Sequence, residues 1–331
     1  MPRFNRGIII LTLMLIGTGC AGSLTLPNVP TEKLTLPEAP VVYATTKQLL
    51  LNDNQINNSL TVPVLAAWFD TEHILIVEKN QGTSYQIWKQ NVINGERTFI
   101  TSCAIQLQFL AVAPNQEALL LIAEQDLYVL PLVTTQLTRI HEGVLSAQWS
   151  LDSKRIVFNT TDNRLLLQQI GLEFKLDTPL VLLTETVASP IFLDERTLAY
   201  EGQWENMVTI IANDLITQET KPLTSLRFVQ ADANSVVRLS PNSELLLYSR
   251  QDNNTGDNNI WVIHRNKDVP KLILTKANAP IWSKTNDRIY YFSAGALWQA
   301  SDNGFDKIQL NQQALFVAAP TSLISNLAPS L

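Results

Sequence analysis

Short apolar stretches, each closed by a polar turn, follow one another along almost the whole chain. They read "HILIVE" (73–78), "ALLLIA" (118–123), "RIVFNT" (155–160), "TLAYEG" (197–202), "LLLYSR" (245–250) and "RIYYFS" (288–293). Each is followed by a polar turn and a second stretch: "YQIWKQ", "DLYVLPL", "RLLLQQI", "MVTIIAND", "NIWVIHR" and "ALWQAS". A third run closes each unit: "RTFITS", "QLTRIH", "PLVLLTE", "TKPLTS", "PKLILTK" and "DKIQLN". The runs are short, rich in β-branched and aromatic residues, and bounded by Asn, Asp, Ser and Thr, which predicts strands joined by tight turns. No segment sustains the 3.6-residue apolar period of a helix.

One further position precedes each of these triplets. A short apolar stretch ends at Trp68, Val112, Trp149, Phe192, Leu239 or Trp282, with Asp or Asn usually close behind. The anchors are spaced 44, 37, 43, 47 and 43 residues apart, so six units of about 43 residues follow without interruption. Four strands per unit at this period predict an all-β, six-bladed β-propeller of four-stranded antiparallel blades. The physical reason for the recurrence is burial. A single four-stranded blade cannot cover both of its faces, so each blade needs a neighbour and the same apolar pattern must return. Large anchors fill the wedge between blades, which assigns Trp68, Trp149, Phe192 and Trp282 to packing. The same expectation holds for Trp88, Trp204, Trp261 and Trp298 inside strands.

Three units carry a family resemblance. "WSLDSKRIVF" at 149–158, "LSPNSELLLY" at 239–248 and "IWSKTNDRIYYF" at 281–292 resemble the TolB-type propeller repeat, roughly W-S-P-D-G-K-x-I-A-F. Trp149, Ser150, Asp152, Lys154 and Ile156 match it, as do Ser240, Pro241, Asn242, Trp282 and Ser283. Leu151, Ser153 and Leu239 depart from it. The resemblance covers about 64–310 and implies six blades. Two strand-like stretches fall outside the repeats, "PVVYATTKQLLLN" (40–52) and "ALFVAAPTS" (314–322). Both belong with ring closure, and the alternative architecture is a seventh, composite blade built from the two chain ends.

The N-terminal residues depart from the strand grammar. Arg3 and Arg6 precede an apolar run from Gly7 to Ile16, and Gly17-Thr18-Gly19 lead into Cys20. This is the layout of a secretory signal peptide, and the apolar run is too short for a bilayer core that needs roughly 20 residues. "LIGTGC" resembles the bacterial lipobox, although Gly17 stands where Leu is favoured. The resemblance implies cleavage after Gly19 and lipidation of Cys20. Residues 20–40 then form a tether with Pro27, Pro30, Pro37 and Pro40, which disfavour helix and interior strand. In an extended polyproline form it reaches roughly 60 Å. The expected organisation is a signal peptide at 1–19, the lipidated cysteine and tether at 20–40, the propeller at 41–322 and a tail at 323–331.

Composition narrows the function. The formal charge is −6, and removal of the signal peptide makes the chain more acidic. Without a Lys/Arg cluster, nucleic acid is not an expected partner. Only Cys20 and Cys103 are cysteines, so no disulfide framework exists, and Cys103 is expected in the core beside "AIQLQFLAVA". His73, His141 and His264 fall at unrelated positions of their units, and no nucleophile, phosphate or metal motif is present. Asp252, Asn254 and Asp257 form the richest oxygen cluster, in a segment that suits a solvated hairpin. Asp194, Glu195 and Glu201 read as solvated acids on turns and strand edges. No catalytic, cofactor-binding or metal-binding residue is assigned. The expectation is an exported monomer held to a bacterial membrane through acylated Cys20, with a non-catalytic propeller that binds another envelope protein or peptide. The alternatives are a propeller enzyme of lactonase or glycan-lyase type and a glycan- or peptidoglycan-binding module.

Overall fold

The computed structural model describes residues 42–318 except 45–47, 52–53, 56–61, 81–83, 172–178, 184–186, 233, 254, 313 and 315. The segment read as a signal peptide, Cys20 and the Pro-rich segment to residue 40 therefore lie outside the described residues. The described residues are all β, with no helix.

The chain end-to-end order is a ring. β1 (Val42–Ala44), β2 (Leu49–Leu51) and β3 (Asn54–Gln55) come first. Blade 1 follows as β4 (Val62–Trp68), β5 (His73–Lys79), β6 (Tyr85–Asn91) and β7 (Arg97–Cys103). Blade 2 is β8 (Leu107–Val112), β9 (Ala118–Ala123), β10 (Asp126–Pro131) and β11 (Thr138–His141). Blade 3 is β12 (Val144–Trp149), β13 (Arg155–Thr160), β14 (Leu165–Gln169) and β15 (Leu180–Leu183). Blade 4 is β16 (Ala188–Phe192), β17 (Thr197–Trp204), β18 (Met207–Asp214) and β19 (Thr220–Pro222). Blade 5 is β20 (Val236–Leu239), β21 (Leu245–Gln251), β22 (Asn258–His264) and β23 (Lys267–Thr275). Blade 6 is β24 (Asn278–Trp282), β25 (Arg288–Ser293), β26 (Ala296–Ser301) and β27 (Ile308–Asn311), and β28 (Phe316–Ala318) is the last described strand.

Six repeats thus give six four-stranded antiparallel blades, each strand paired with the next in sequence. The two chain ends add one more four-stranded sheet in the order β28-β1-β2-β3, with Val42 opposite Ala318 and Ala44 opposite Phe316. This is the composite closure named above as the alternative. It joins the last described strand to the first by hydrogen bonds and so closes the ring.

Burial explains the arrangement. Among the described residues, seven apolar clusters occupy seven junctions. Leu75, Val77 and Leu121 fill the first, between blades 1 and 2. Leu120, Trp149 and Phe158 fill the next. Val157, Phe192 and Tyr200 join blades 3 and 4, and Leu239, Tyr248 and Ile210 join blades 4 and 5. Leu247, Trp282 and Ile289 join blades 5 and 6. The composite sheet sends Leu50 to Ile281 and Tyr290 on one side, and Val42 and Leu51 to Trp68 and Ile74 on the other. Alternate residues of one strand serve opposite junctions, as the two-residue period of a strand requires.

The anchors pack as expected, with Trp68, Trp149, Phe192 and Trp282 all buried. The turn after the anchor comes in two forms. In blades 2, 3, 5 and 6 its fourth residue is left-handed: Gln116, Ser153, Ser243 and Asn286, at φ 62°, 61°, 61° and 64°. The repeat consensus places Gly there, and this chain fills the position without it. In blades 1 and 4 the turn is one residue shorter and is held by aspartate. Asp70 Oδ1 accepts from the N–H groups of Glu72 and His73, both at 2.8 Å. Asp194 Oδ1 accepts from Arg196 at 2.9 Å and Thr197 at 2.7 Å. Glycine is required at one close approach. Gly304, at φ +86°, sits where an added Cβ would lie 2.4 Å from the Ile273 carbonyl oxygen of blade 5.

Candidate binding channel

The innermost strands are irregular where they begin. Pairing of β4 with β5 skips Val64, β8 with β9 skips Gln108, and β12 with β13 skips Leu145. The same shift passes over Ser189–Pro190 in blade 4 and Ala279–Pro280 in blade 6. A β-bulge leaves its extra residue out of the ladder and turns its side chain to a new direction. In blades 1 to 4 that direction is a space shared by the inner strands, whereas Ala279 of blade 6 packs at the junction with the composite sheet. Val64, Gln108, Leu145, Ser189 and Pro190 all line a cavity of about 640 Å³ enclosed by the inner strands of blades 1 to 5.

The lining is notable for what its side chains carry. Every polar side chain around the cavity is an uncharged amide or hydroxyl: Gln106, Gln108, Gln125, Gln148, Asn234, Ser146 and Ser189. The walls between them are aliphatic apart from Phe109. Leu145 is 45% exposed although it sits on an inner strand, so an apolar side chain faces the opening. Several polar groups are oriented by bonds to the scaffold. The N–H of Phe192 in blade 4 donates to Gln148 Oε1 of blade 3 at 2.9 Å. The N–H of Gln125 donates to Gln108 Oε1 at 3.2 Å. Ser146 Oγ donates to Asn159 Oδ1 at 2.5 Å, and Ser189 Oγ donates to the carbonyl of Ser235.

The position that carries Gln148 in blade 3 carries Arg238 in blade 5. Arg238 Nε donates to the Pro280 carbonyl of blade 6 at 3.1 Å, and burial pulls its guanidinium down to about 10. Both side chains stitch one inner strand to the next. Chemically, the cavity offers hydrogen-bond donors and acceptors between apolar walls, and among the described residues no titratable side chain lines it.

A second polar assembly lies at the junction of blades 4 and 5. Glu201 and Arg250 are both buried, with Oε1 to Nη1 at 3.6 Å. Tyr248 donates its hydroxyl to Glu201 Oε2 at 2.5 Å, and the Asp232 N–H donates to Oε1 at 2.9 Å. Arg250 Nη2 donates to the Gln230 carbonyl at 2.7 Å, and its guanidinium lies 3.8 Å over the Phe228 ring. Burial pushes the Glu201 carboxyl up against the pull of Tyr248, Asp232 and Arg250, and the Tyr248 hydroxyl is pushed well up by burial and by Glu201. The expectation that Glu201 is a solvated acid is therefore overturned. The long connection between blades 4 and 5 folds back over it, with Phe228 and Val208 exchanging backbone bonds at 2.8 and 2.9 Å.

The remaining candidates are dispersed. His73 bonds Asp70 at 2.8 Å in blade 1, His141 Nδ1 bonds the Glu142 carbonyl at 2.5 Å in blade 2, and His264 ends β22 in blade 5. Asp252 and Asp257 close a hairpin in which Asp252 Oδ1 accepts from the Thr255 N–H at 3.0 Å, while Asn254 lies outside the described residues. Among the described residues no three His, Cys, Asp or Glu side chains come together as metal ligands would. Cys103 is half-buried at the end of β7 and not deep in the core; burial pushes its thiol up and its Sγ donates to the Ile105 carbonyl at 3.5 Å. Trp261 is buried, and Trp88, Trp204 and Trp298 are half-buried within their blades. The bulges and the glutamines were the features that sequence reasoning missed. The only signal they left is the run of Gln and Ser just before or within the inner strands.

No family model matches the chain, and no curated protein matches it. Solved structures share its fold. TolB from Acinetobacter baumannii is 14% identical with a TM-score of 0.50, over 91% of this chain and 66% of that one. A TolB structure from Agrobacterium tumefaciens is 14% identical with a TM-score of 0.53, over 75% of this chain and 99% of that one. Oligogalacturonate lyase from Vibrio parahaemolyticus is 9% identical with a TM-score of 0.54, over 82% and 79% of the two chains. The chain has the fold of a TolB-like β-propeller, with a cavity between its inner strands whose described lining carries no charged side chain.

Proposed function

We propose that this protein is an exported lipoprotein of the bacterial envelope whose propeller binds a segment of a partner protein at the mouth of its central channel. The observation that carries the reading is the cavity itself: aliphatic walls and oriented amides, built by bulges in successive inner strands, with Leu145 facing the opening. Function has to be argued from such a site, since a propeller scaffold serves many purposes. The signal-peptide layout before Cys20 supports export and lipid anchoring, and the Pro-rich segment that follows supplies the reach to hold a domain off the membrane. Likeness to the lyase lies at 9% identity and argues fold alone. A glycan-binding reading is less favoured because the tryptophans pack within the blades, and the one aromatic ring among the described lining residues, Phe109, is itself buried.

Two measurements test this. A clickable palmitate analogue should label the expressed protein, and Cys20→Ser should abolish the label; labelling that survives the exchange would remove the anchor. A photo-cross-linking residue in place of Leu145 should give a discrete adduct with an envelope protein in intact cells. The same residue in place of Val133, 90% exposed at the outer end of blade 2, should not. Identical patterns at both positions would sink the channel as the binding face.

A further inference from the structure

The direction in which the channel glutamines are pinned carries more than their presence. Gln108 and Gln148 each have the side-chain oxygen engaged by a backbone N–H, from Gln125 and Phe192. A backbone N–H can only donate, so the orientation of each amide is fixed: oxygen toward the scaffold, NH₂ away from it. Both side chains line the cavity, Gln108 exposed and Gln148 half-buried. The ligand therefore meets amide donors held in place, and among the described lining residues no ionised side chain compensates a charge brought into the cavity.

From this we infer that the channel mouth selects an uncharged peptide segment, reading its carbonyl oxygens with the NH₂ groups of Gln108 and Gln148 and seating an apolar side chain beside Leu145. The inference rests on the channel reading above and adds the chemistry of the ligand. Neutral donors match backbone and side-chain amide carbonyls. A Lys or Asp side chain entering the same space loses water without gaining a counter-ion, which is costly. A peptide fits better than a sugar because the walls beside these amides are aliphatic, Leu107, Val144 and Val236 among them. Gln108 and Gln148 are then the specificity-determining residues, and the scaffold pins them through bonds that a glutamate would also accept.

That last property gives the test. Gln108→Glu with Gln148→Glu keeps both acceptor oxygens for the backbone N–H groups and removes both ligand-facing donors. Binding is read by fluorescence anisotropy on the full-length lipidated protein in detergent. The probes are three pools of capped heptapeptides, with Gln, Asp or Lys at the centre and flanks of Leu, Ser, Gly and Asn. A neutral N-acetylglucosamine oligomer serves as the glycan probe. The wild-type protein should bind the Gln pool at least tenfold more tightly than the Asp and Lys pools. The double exchange should weaken the Gln pool about tenfold, which corresponds to about 1.4 kcal/mol, and make the Lys pool the tightest. Should the double variant unfold, Gln108→Leu alone must still weaken the Gln pool. Equal binding of all three pools, or a rank order unmoved by the glutamates, overturns the inference while a Leu145 adduct keeps the channel reading. Saturable binding of the glycan alone overturns it as well. Loss of both peptide binding and the Leu145 adduct overturns the channel reading itself.

Discussion

Blades 3 and 4 solve one problem with different chemistry. In each, the fifth residue of the second strand is a buried polar side chain that holds the connection to the next blade. In blade 3 it is Asn159, which donates to the Val187 carbonyl at 3.0 Å and accepts from Ser146. In blade 4 it is Glu201, which accepts from Asp232 and Tyr248 and faces Arg250. The connection after blade 4 is far longer, and its residues from Phe228 to Asp232 lie across the junction. A neutral amide suffices for a short connection; a long one here is fastened by an ion pair, a tyrosine and an aromatic cage of Phe228, Tyr248 and Trp261. The lesson is that equivalent positions in a repeat need not carry equivalent energetics. A buried charge pair fixes geometry, but it makes its junction sensitive to the loss of either partner.

The largest expected effect separates the two junctions. Arg250→Met leaves Glu201 buried without its counter-ion and frees the Gln230 carbonyl, so it should lower stability by about 3–5 kcal/mol in urea unfolding. A loss below about 1 kcal/mol would show that the pair does not fasten the connection. Next comes the neutral junction. Asn159→Ala strips the Val187 carbonyl and Ser146 of their partner, and about 2 kcal/mol should be lost. Equal losses at the two sites would erase the contrast drawn between them.

Smaller still is the conversion of one junction into the other. Glu201→Gln keeps an acceptor for the Asp232 N–H and removes the titration. The folded carboxyl lies above its ordinary 4.5, so the native state holds that proton more tightly than the unfolded chain. Its contribution is present below pH 4.5 and fades as pH rises through the raised value. The stability difference between wild type and Glu201→Gln should therefore slope with pH above 4.5, and a flat difference would break the assignment. Asp214 gives the opposite sign. The Thr217 N–H and Arg196 pull its carboxyl from 3.8 down to about 2, so its contribution is lost as pH falls through that range, and Asp214→Asn should flatten the acid limb.

The smallest effect is expected at the outer face of the same junction. Arg265 bonds the Leu193 carbonyl at 3.1 Å and pairs with Asp194, linking blade 5 to the turn of blade 4. Burial raises the Asp194 carboxyl, but the N–H groups of Arg196 and Thr197 and the Arg265 guanidinium outweigh it and leave it below its ordinary value. The pair is partly exposed, so Arg265→Ala should cost less than about 1 kcal/mol, and added salt should shrink the difference.

Much of the ring was legible before any coordinates. The strand triplets, the six anchors and the wedge role of Trp149 and Trp282 follow from a period that burial imposes on every blade. The turn aspartates of blades 1 and 4 were visible as residue types, though not as a shorter turn form. The composite sheet was named only as an alternative, because Val42 and Ala318 are separated by the whole ring and sequence carries no sign of which end strands pair. Glu201 was misread for a related reason. A carboxylate in a strand is usually solvated, and its partners come from elsewhere: Tyr248 and Arg250 from the next blade, Asp232 from the connection before it.

Sequence by itself determined the all-β repeat, its period and its core faces, since these depend on local alternation and on patterns that each segment carries alone. Tertiary structure decided which polar residues are buried, how the ring closes and where the cavity opens. Those outcomes depend on side chains from different blades meeting at fixed distances, and on bulges whose extra residue is visible only once two strands are paired.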